Sequence, residues 1–457
     1  MRAKRLVLSA LLCLGRHTGT GLIATAGRQF IDWSADYKLF SQGRFDKSFL
    51  FDVIRKGIIE ELPEDAPFIA AMDDTVIKKT GTKIEGVAYR RDPMSPPFQT
   101  NFIRGQRYIQ MSAALHPEMT DAPHRMIPVD FVHAPSAKKP GSKASQEKHD
   151  QYLLDKKKYN LSRQGMGMVK SLREALDNDE GCGKRKLWLL VDGSYTNEKV
   201  FRNIPANTTV IGRTRKDTKL YFPYVDDKSG KGRKRYYGEI APTPEELRKD
   251  ESIKLETINV YAAGKMHDMK IKILGPVLWR AAGYDKPLLL IVIAPLAYRP
   301  RKGSRLLYRK PAYLLCTDPD MSPAEAVKAY VWRWDIESNI RDEKQIIGVG
   351  EAQVRTKSSV ELFPALSVAA YGMLLLSAAK VYGVNGRAGD LPEPAWRKDE
   401  TKKRATTQDL IRLLRNEVWG RCMSSLNFSG FMTRGRWNTK PEKLEMPLQS
   451  AVLYAMN

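Results

Sequence analysis

Hydrophobic positions repeat at two different spacings, and the change of spacing divides the chain. Up to about residue 62 apolar residues recur at helical spacing, and the last of these runs ends before Pro63. The predicted helices cover residues 5–14, 18–26 and 48–62. We therefore predict an N-terminal helical module over residues 1–62. It is either a DNA-binding module of the helix-turn-helix kind or an ordinary helical cap on a larger core.

Beyond residue 62 short apolar runs typical of strands alternate with longer helical stretches. Such interleaving indicates a mixed α/β core. The predicted strands are "PFIAAMDDT" (67–75), "QRYIQMSAALH" (106–116), "HRMIPVDFVHAP" (124–135), "KLWLLVDGSYTN" (186–197), "TTVIGRTR" (208–215) and "AYLLCTD" (312–318), and the main helical region is 144–177.

The segment from 214 to 311 has a different pattern, with strand-like runs separated by Gly, Asp and Lys turns. It predicts an all-β insertion that divides the core into residues 63–213 and 312–385. Periodicity is lost after Gly386, so residues 386–457 are predicted to form a basic tail with one helix over 407–419.

The stretch "YVWRWDIESNIRDEK" (330–344) is predicted to lie in one helix, since it contains no Gly or Pro and follows Ser322-Pro323 with Glu325 three residues after the serine. At about 100° per residue, one stripe of this helix carries a carboxylate among cations and a phenol, with an apolar face alongside. The stripe consists of Tyr330, Arg333, Glu337, Arg341 and Lys344. Taken alone, this pattern also suits a solvated face with ion pairs.

Charge changes this interpretation. The 457 residues include 76 Lys and Arg against 52 Asp and Glu, a net charge of +24, while hydrophobic residues make up 42%, enough for a globular fold. An excess of this size favours a polyanionic partner, with nucleic acid first. The four cysteines are far apart and the six histidines form no HxxxH pair, so neither a zinc site nor a disulfide framework is expected.

A basic start and an apolar run at the N-terminus, "MRAKRLVLSALLCLG", have the pattern of a secretory signal. No small-residue cleavage pattern closes the run, and "RHTGTGLIATAG" continues into a second helical segment. We found no run of the roughly 18 apolar residues that a membrane span needs. We therefore expect a cytoplasmic protein that has no membrane partner.

Three carboxylates stand out against this pattern. Asp73 and Asp192 each follow an apolar strand, and Glu337 lies on the half-buried helix. Three carboxylates that converge can hold two Mg²⁺ ions about 4 Å apart, an arrangement that supports phosphodiester cleavage. An Asp after a strand is more often a turn former, so each signal alone is weak.

These residues resemble those of the bacterial insertion-sequence transposases, which have an RNase H-like core and a D, D, E triad. Their Y-(2)-R-(3)-E-(6)-K signature is similar to Tyr330, Arg333, Glu337 and Lys344 without a spacing error. "MDDT" resembles the first motif of the family, with Asp73 as ligand and Asp74 as the rival choice, and "VDGSYTN" resembles the second, with Asp192. The resemblance covers about residues 65–380.

The resemblance implies an RNase H-like mixed sheet flanked by helices and interrupted by the β insertion. It implies that Asp73, Asp192 and Glu337 are catalytic ligands of two Mg²⁺ ions, for which Mn²⁺ may substitute. Tyr330, Arg333, Arg341 and Lys344 would contact double-stranded DNA of the element ends and target. Some relatives hold a flipped base with an aromatic residue from the insertion, and Trp279 is the candidate here.

The implied activity is that of a DNA transposase. It would bind terminal inverted repeats as a homodimer in a paired-end complex, free 3′-hydroxyl groups at the ends and join them to target DNA. The alternative is an RNase H-like nuclease that cuts DNA without joining it, and a third reading is a DNA-binding protein whose acidic cluster is structural.

Overall fold

The structure is a computed structural model that describes residues 2–81, 83–92, 95–96, 98–116, 124–225, 235–262, 265–300, 303–384, 386, 404–424 and 451–452. Most of the predicted basic tail therefore lies outside the described residues.

Helices occur mainly at the two ends of the chain and around the central strands. They are α1 (Arg2–Leu12), α2 (Gly19–Thr25), α3 (Trp33–Ser41), α4 (Ser48–Ile59), α5 (Gln146–Lys158), α6 (Leu161–Asn178), α7 (Glu198–Phe201), α8 (Pro244–Lys249), α9 (Pro323–Trp332), α10 (Asp335–Gln345), α11 (Lys357–Tyr382) and α12 (Thr407–Ser424).

Strands fill the middle of the chain. They are β1 (Phe68–Lys78), β2 (Ala88–Arg91), β3 (Phe102–Leu115), β4 (Arg125–His133), β5 (Leu187–Val191), β6 (Thr208–Arg213), β7 (Tyr221–Pro223), β8 (Tyr237–Ile240), β9 (Glu256–Ala262), β10 (Lys265–Trp279), β11 (Gly283–Ile293), β12 (Ala297–Tyr298), β13 (Leu307–Tyr308) and β14 (Ala312–Cys316).

One large mixed sheet organises the molecule. Its order is β2-β3-β1-β5-β6-β14-β11-β10-β7-β8, with β4 also paired to β3 and β9 to β10. β1, β5 and β6 are parallel to one another, whereas β3 is antiparallel to β1 and β4 to β3. The protein is thus a mixed α/β protein whose strands β4-β3-β1-β5-β6 are consistent with an RNase H-like fold.

Alternation along β1 explains the two layers of the core. Ala70 and Met72 point into one hydrophobic cluster, and Ile69 and Ala71 point into a second cluster on the opposite face. Because both faces are covered, β1 and β5 are nearly continuous apolar runs, as buried parallel strands usually are. Trp332 belongs to the second cluster, so α9 packs on the face that carries Ile69.

The predicted β insertion continues the same sheet. β11 pairs with β14, and β14 pairs with β6, so hydrogen bonding runs without a gap from residues 63–213 into residues 214–311. The segment also contains α8, which begins with a capping box between Thr243 and Glu246 and has Pro244 in its first turn. The sequence "TPEE" carries that signal, and our strand-only interpretation overlooked it.

The N-terminal helices share the main hydrophobic cluster with the sheet. Leu6 of α1 and Ile54 of α4 are buried in the same cluster as Phe68 of β1. The role of residues 1–62 in DNA binding stays a prediction.

α11 is long and apolar enough to cross a membrane, contrary to our finding of no such run in the sequence. However, 78% of its most apolar window is buried inside the protein, as in the core helix of a soluble protein. A cytoplasmic location stays a prediction.

Two local predictions were wrong. The helix predicted through residues 330–344 breaks between α9 and α10, and Ser322 makes no side-chain capping bond. β1 does not end at the carboxylates but continues to Lys78, because the residues after Asp74 keep pairing with β3 as far as Gly105.

Candidate active site

The first two acidic residues lie side by side on neighbouring parallel strands. Met72 of β1 is in register with Val191 of β5, and the next residues along the two strands are Asp73 and Asp192. In a parallel pair, residues in register point to the same face of the sheet. Asp192 comes directly after the end of β5, where its carboxylate accepts hydrogen bonds from the Ser194 backbone N–H at 2.9 Å and hydroxyl at 2.6 Å.

The break between α9 and α10 brings the third acidic residue to the same place. The Arg333 and Trp334 backbone N–H groups donate to carbonyls three residues earlier, as in a 3₁₀ turn. Such a turn is tighter than an α-helix, so the side chains after it point in a different direction. Arg333 is 6% exposed and donates to Asp73 Oδ2 at 3.4 Å and to Glu337 Oε1 at 3.3 Å. The break therefore positions one guanidinium between a carboxylate of the sheet and one of α10.

All three carboxylates line one cavity of about 420 Å³. The other lining residues are Gly193, Arg213, Thr214, Arg215, Arg333 and Trp334. Arg213 is the last residue of β6, the strand beside β5, Thr214 and Arg215 follow it, and Trp334 lies in the helix break. We did not predict these four side chains as part of the site. The "RTR" at the end of an apolar strand was the only sequence signal for residues 213–215, and it has meaning only once β6 is known to neighbour β5.

Strand alternation separates Asp73 from its rival. Asp73 lines the cavity, while Asp74 points to the opposite face and is not among the lining residues. There burial raises the pKa of the Asp74 carboxyl, and the positive charge of Arg107 partly offsets this effect. The structure thus brings Asp73, and not Asp74, together with Asp192 and Glu337.

The predicted DNA-contacting residues divide between the cavity and the surface beyond it. Arg333 is buried at the cavity, with its guanidinium carbon 5.6 Å from the centre of the half-buried Tyr330 ring. Arg341 and Lys344 are exposed beyond the cavity lining, and Arg341 pairs with Asp342 at 3.1 Å. Across the break between α9 and α10, Arg333 still contacts both Tyr330 and Glu337, so these three residues remain neighbours.

Trp279, the candidate aromatic of the insertion, packs into the core. It is half-buried, and its ring meets that of Phe201 edge-on with centroids 5.3 Å apart. The Trp279 side chain therefore packs against Phe201 and does not project freely towards solvent.

Electrostatics of the cavity favour a cation near the two aspartates. Burial and the negative charge of Asp192 raise the pKa of Asp73 to about 7, while Arg333 acts in the opposite direction. Carboxylate oxygens are the donors that Mg²⁺ prefers, so the chemistry of the donor set fits a divalent ion. Among the described residues, however, no three His, Cys, Asp or Glu side chains are already arranged around a common metal position. Arg333 pairs with two of the three carboxylates, so their convergence on an ion requires this pairing to loosen.

Gly212 of β6 supports the loop that carries Asp192. A Cβ at this position would lie 2.4 Å from Thr196 Oγ1 and 3.1 Å from a Val191 methyl. Thr196 closes the loop through its hydroxyl, which donates to the Asp192 carbonyl at 2.9 Å. The backbone at Gly212 therefore has to stay free of a side chain.

We expect Gly212→Ala to lower the free energy of unfolding by about 1–3 kcal/mol, since overpacking forces the Thr196 loop to shift. The matched control is Gly167→Ala in α6, where an added Cβ meets nothing within 4 Å, and a helical Ala should be neutral or stabilising. Urea unfolding of both variants measures the difference. Equal stability of the two would contradict the proposed close approach.

Comparison with known protein families gives one match. Residues 1–266 match the family described as DDE superfamily endonuclease, which is more than half of the 457 residues. The chain belongs to this family, whose members are transposase-like nucleases that act on DNA and generally use divalent metal ions. The matched region contains Asp73 and Asp192 but not Glu337. A search of curated proteins found no match.

Proposed function

We propose that the protein is a DNA transposase that cleaves phosphodiester bonds at the ends of its element and joins the freed 3′-hydroxyls to target DNA. The observation that carries the proposal is one cavity lined by Asp73, Asp192 and Glu337 in a chain that belongs to a DNA endonuclease family. The terminal inverted repeats, the paired-end homodimer and the insertion-sequence origin are part of this proposal.

In this proposal Asp73, Asp192 and Glu337 hold two Mg²⁺ ions, or Mn²⁺ in their place. When bound, such ions make water a stronger nucleophile and stabilise the oxygen that leaves the phosphorus. Asp73 and Asp192 are fixed by β1 and β5, whereas Glu337 is exposed on α10 and can adjust to its ligands. A rigid pair and one adaptable carboxylate suit two successive reactions, cleavage and joining, at one site.

The cations of the cavity have a separate role. Arg333 is preorganised by burial and by its two carboxylate partners, and Arg213 and Arg215 line the same cavity. An Arg guanidinium can donate two parallel hydrogen bonds to a phosphate. Once the carboxylates bind cations, Arg333 becomes available to contact a phosphate, with Tyr330 packed beside it. Arg341 and Lys344 contact the backbone farther from the cavity.

The experiment that tests this function supplies the protein with DNA fragments from both flanks of its gene and with Mg²⁺. We expect nicking at matching inverted sequences and, when pre-cleaved ends with 3′-hydroxyls are supplied, their covalent joining to a plasmid. Joined products are detected by sequencing across the junctions.

The matched control is the same pre-cleaved end with a 3′-deoxy terminus, which lacks the nucleophile and should give no joined product. Cleavage without joining of the 3′-hydroxyl end would support the nuclease alternative. Absence of both reactions, with binding retained, would support the structural reading of the acidic cluster.

A further inference from the structure

β2 and the first residues of β3 form a two-stranded ribbon at one edge of the main sheet. β2 pairs with the first residues of β3, from Ala88 opposite Gly105 to Arg91 opposite Phe102. Tyr89 is 75% exposed and Phe102 is 66% exposed. Exposed aromatic side chains at a sheet edge promote unwanted association, so their presence often marks a binding surface.

The register of this ribbon places aromatic and cationic side chains alternately on one face. Tyr89 is opposite Arg104 and Arg91 is opposite Phe102, so the four side chains form a two-by-two pattern without a carboxylate. Following β3 by twos from Phe102 and Arg104 leads to Gln110, which is opposite Asp73. The four side chains therefore lie on the same face of the sheet as Asp73.

The distance from the ribbon to the candidate active site sets the length of DNA that would span both. Phe102 is eight positions from Gln110 along β3, which corresponds to about 26 Å at roughly 3.3 Å per residue. This equals about eight base pairs of B-DNA. A ribbon of two strands also has the dimensions that the major groove accepts.

The turn after α10 lies between the cavity and the ribbon. α10 carries Lys344, and the turn after it contacts the end of β1, where Lys79 Nζ donates to the Gly350 and Ala352 carbonyls at 2.6 Å each. Desolvation lowers the pKa of Lys344, Glu343 opposes this effect, and the charge of Lys78 adds to it. Lys78 is opposite Gly105 and by strand alternation lies on the face that carries Asp74, so the ribbon face does not include it.

We propose that the face of the ribbon formed by Tyr89, Arg91, Phe102 and Arg104 binds double-stranded DNA about eight base pairs from the phosphodiester that is cleaved. The inference rests on the proposed function, because it assigns a second contact to the same DNA. Charge decides the occupant: the face is cationic, like the net charge of the chain, so a second copy of the protein would meet it with electrostatic repulsion.

Each side chain has a different role in this contact. The exposed side chain of Arg91 makes no hydrogen bond or ion pair with the described residues and can reach a phosphate. Arg104 instead donates to the Thr80 and Gly81 carbonyls and holds the base of the ribbon. Tyr89 and Phe102 supply apolar contact with sugars and bases. The contact therefore has a salt-dependent part and a salt-independent part.

The test measures binding of a 40-base-pair mixed-sequence duplex by fluorescence anisotropy at several salt concentrations. We expect Arg91→Ala to reduce the slope of log affinity against log salt by about 0.9, the loss of one phosphate contact. We expect the double variant Tyr89→Ala, Phe102→Ala to bind about tenfold more weakly with an unchanged slope. The matched control is Tyr308→Ala on the β12–β13 pair, which is 64% exposed and should bind like the wild type.

The outcomes separate the ribbon from the proposed function. Wild-type binding with no change in the ribbon variants would overturn the ribbon contact alone, while failure of the wild type to bind any duplex would overturn both. Light scattering supplies a further outcome. A change of oligomeric state in the ribbon variants, with unchanged DNA affinity, would show that the face joins two copies and would also overturn the proposal.

Discussion

Replacement of Asp73, Asp192 or Glu337 by alanine is expected to reduce the DNA cleavage rate by at least about three orders of magnitude, which corresponds to about 4 kcal/mol of lost transition-state stabilisation. Each variant removes a carboxylate that lines the shared cavity. Affinity for duplex DNA should persist, because the cations of the cavity and the helix remain. A cleavage assay on end fragments, read beside an anisotropy measurement of binding, separates the two effects.

Asp74→Ala is the matched control for this series. Asp74 adjoins Asp73 in sequence but faces the opposite side of the sheet, near Arg107. We expect this variant to keep cleaving. If Asp74→Ala were inactive while Asp73→Ala cleaved normally, Asp74 would be the ligand and the assignment from strand alternation would be wrong.

The second large effect concerns stability without metal. At pH 8, in the presence of a chelator, Asp73→Asn should raise the free energy of unfolding by as much as about 4 kcal/mol, a value that already includes the attraction of Arg333. The reason is that the pKa of Asp73 in the folded protein is raised to about 7 from an ordinary value of 3.8, chiefly by burial and then by Asp192. Ionising this carboxyl is therefore harder in the folded chain than in the unfolded one.

The raised pKa fixes the direction of the pH dependence. Below about pH 4 the carboxyl is protonated in both states and has its full stabilising effect, which is lost as the pH rises through about 7. Wild type and Asp73→Asn should thus unfold at similar urea concentrations below about pH 4, diverge as the pH rises from about 4 to about 7, and keep a constant difference above that. Addition of Mg²⁺ should stabilise the wild type and not the variant. Parallel pH profiles for the two proteins would contradict the buried, repelled carboxylate.

Local patterns predicted the order of the elements well. The apolar run before Asp192 was predicted as a buried strand, and β5 is that strand. The strand prediction for Asp73 was correct in kind but ended too early, since "MDDT" contains two carboxylates that a sequence pattern treats as a terminus. Pairing with β3 on one side and β5 on the other keeps these residues in the sheet.

Features that depend on contacts far apart in sequence could not be predicted. Nothing between residues 330 and 344 marks a helix break, because the stretch lacks Gly and Pro. The break accompanies the ion pairs of Arg333 with Asp73, 260 positions away, and with Glu337. Arg213 likewise joins the cavity only because β6 pairs with β5.

The family match and the geometry support different parts of the site. The match includes Asp73 and Asp192, whereas Glu337 lies beyond residue 266. Its membership of the site rests on the cavity and on the ion pair with Arg333. A measurement of metal binding at Glu337 therefore tests the part of the site that the family match does not cover.

The most direct test is a crystal structure of the protein with Mn²⁺ and a cleaved DNA end, with the metal located by its anomalous scattering. The account predicts two peaks about 4 Å apart, both within reach of Asp73, Asp192 and Glu337, with Arg333 released from its carboxylate partners. Anomalous peaks that avoid these three side chains in a complex competent for cleavage would contradict it.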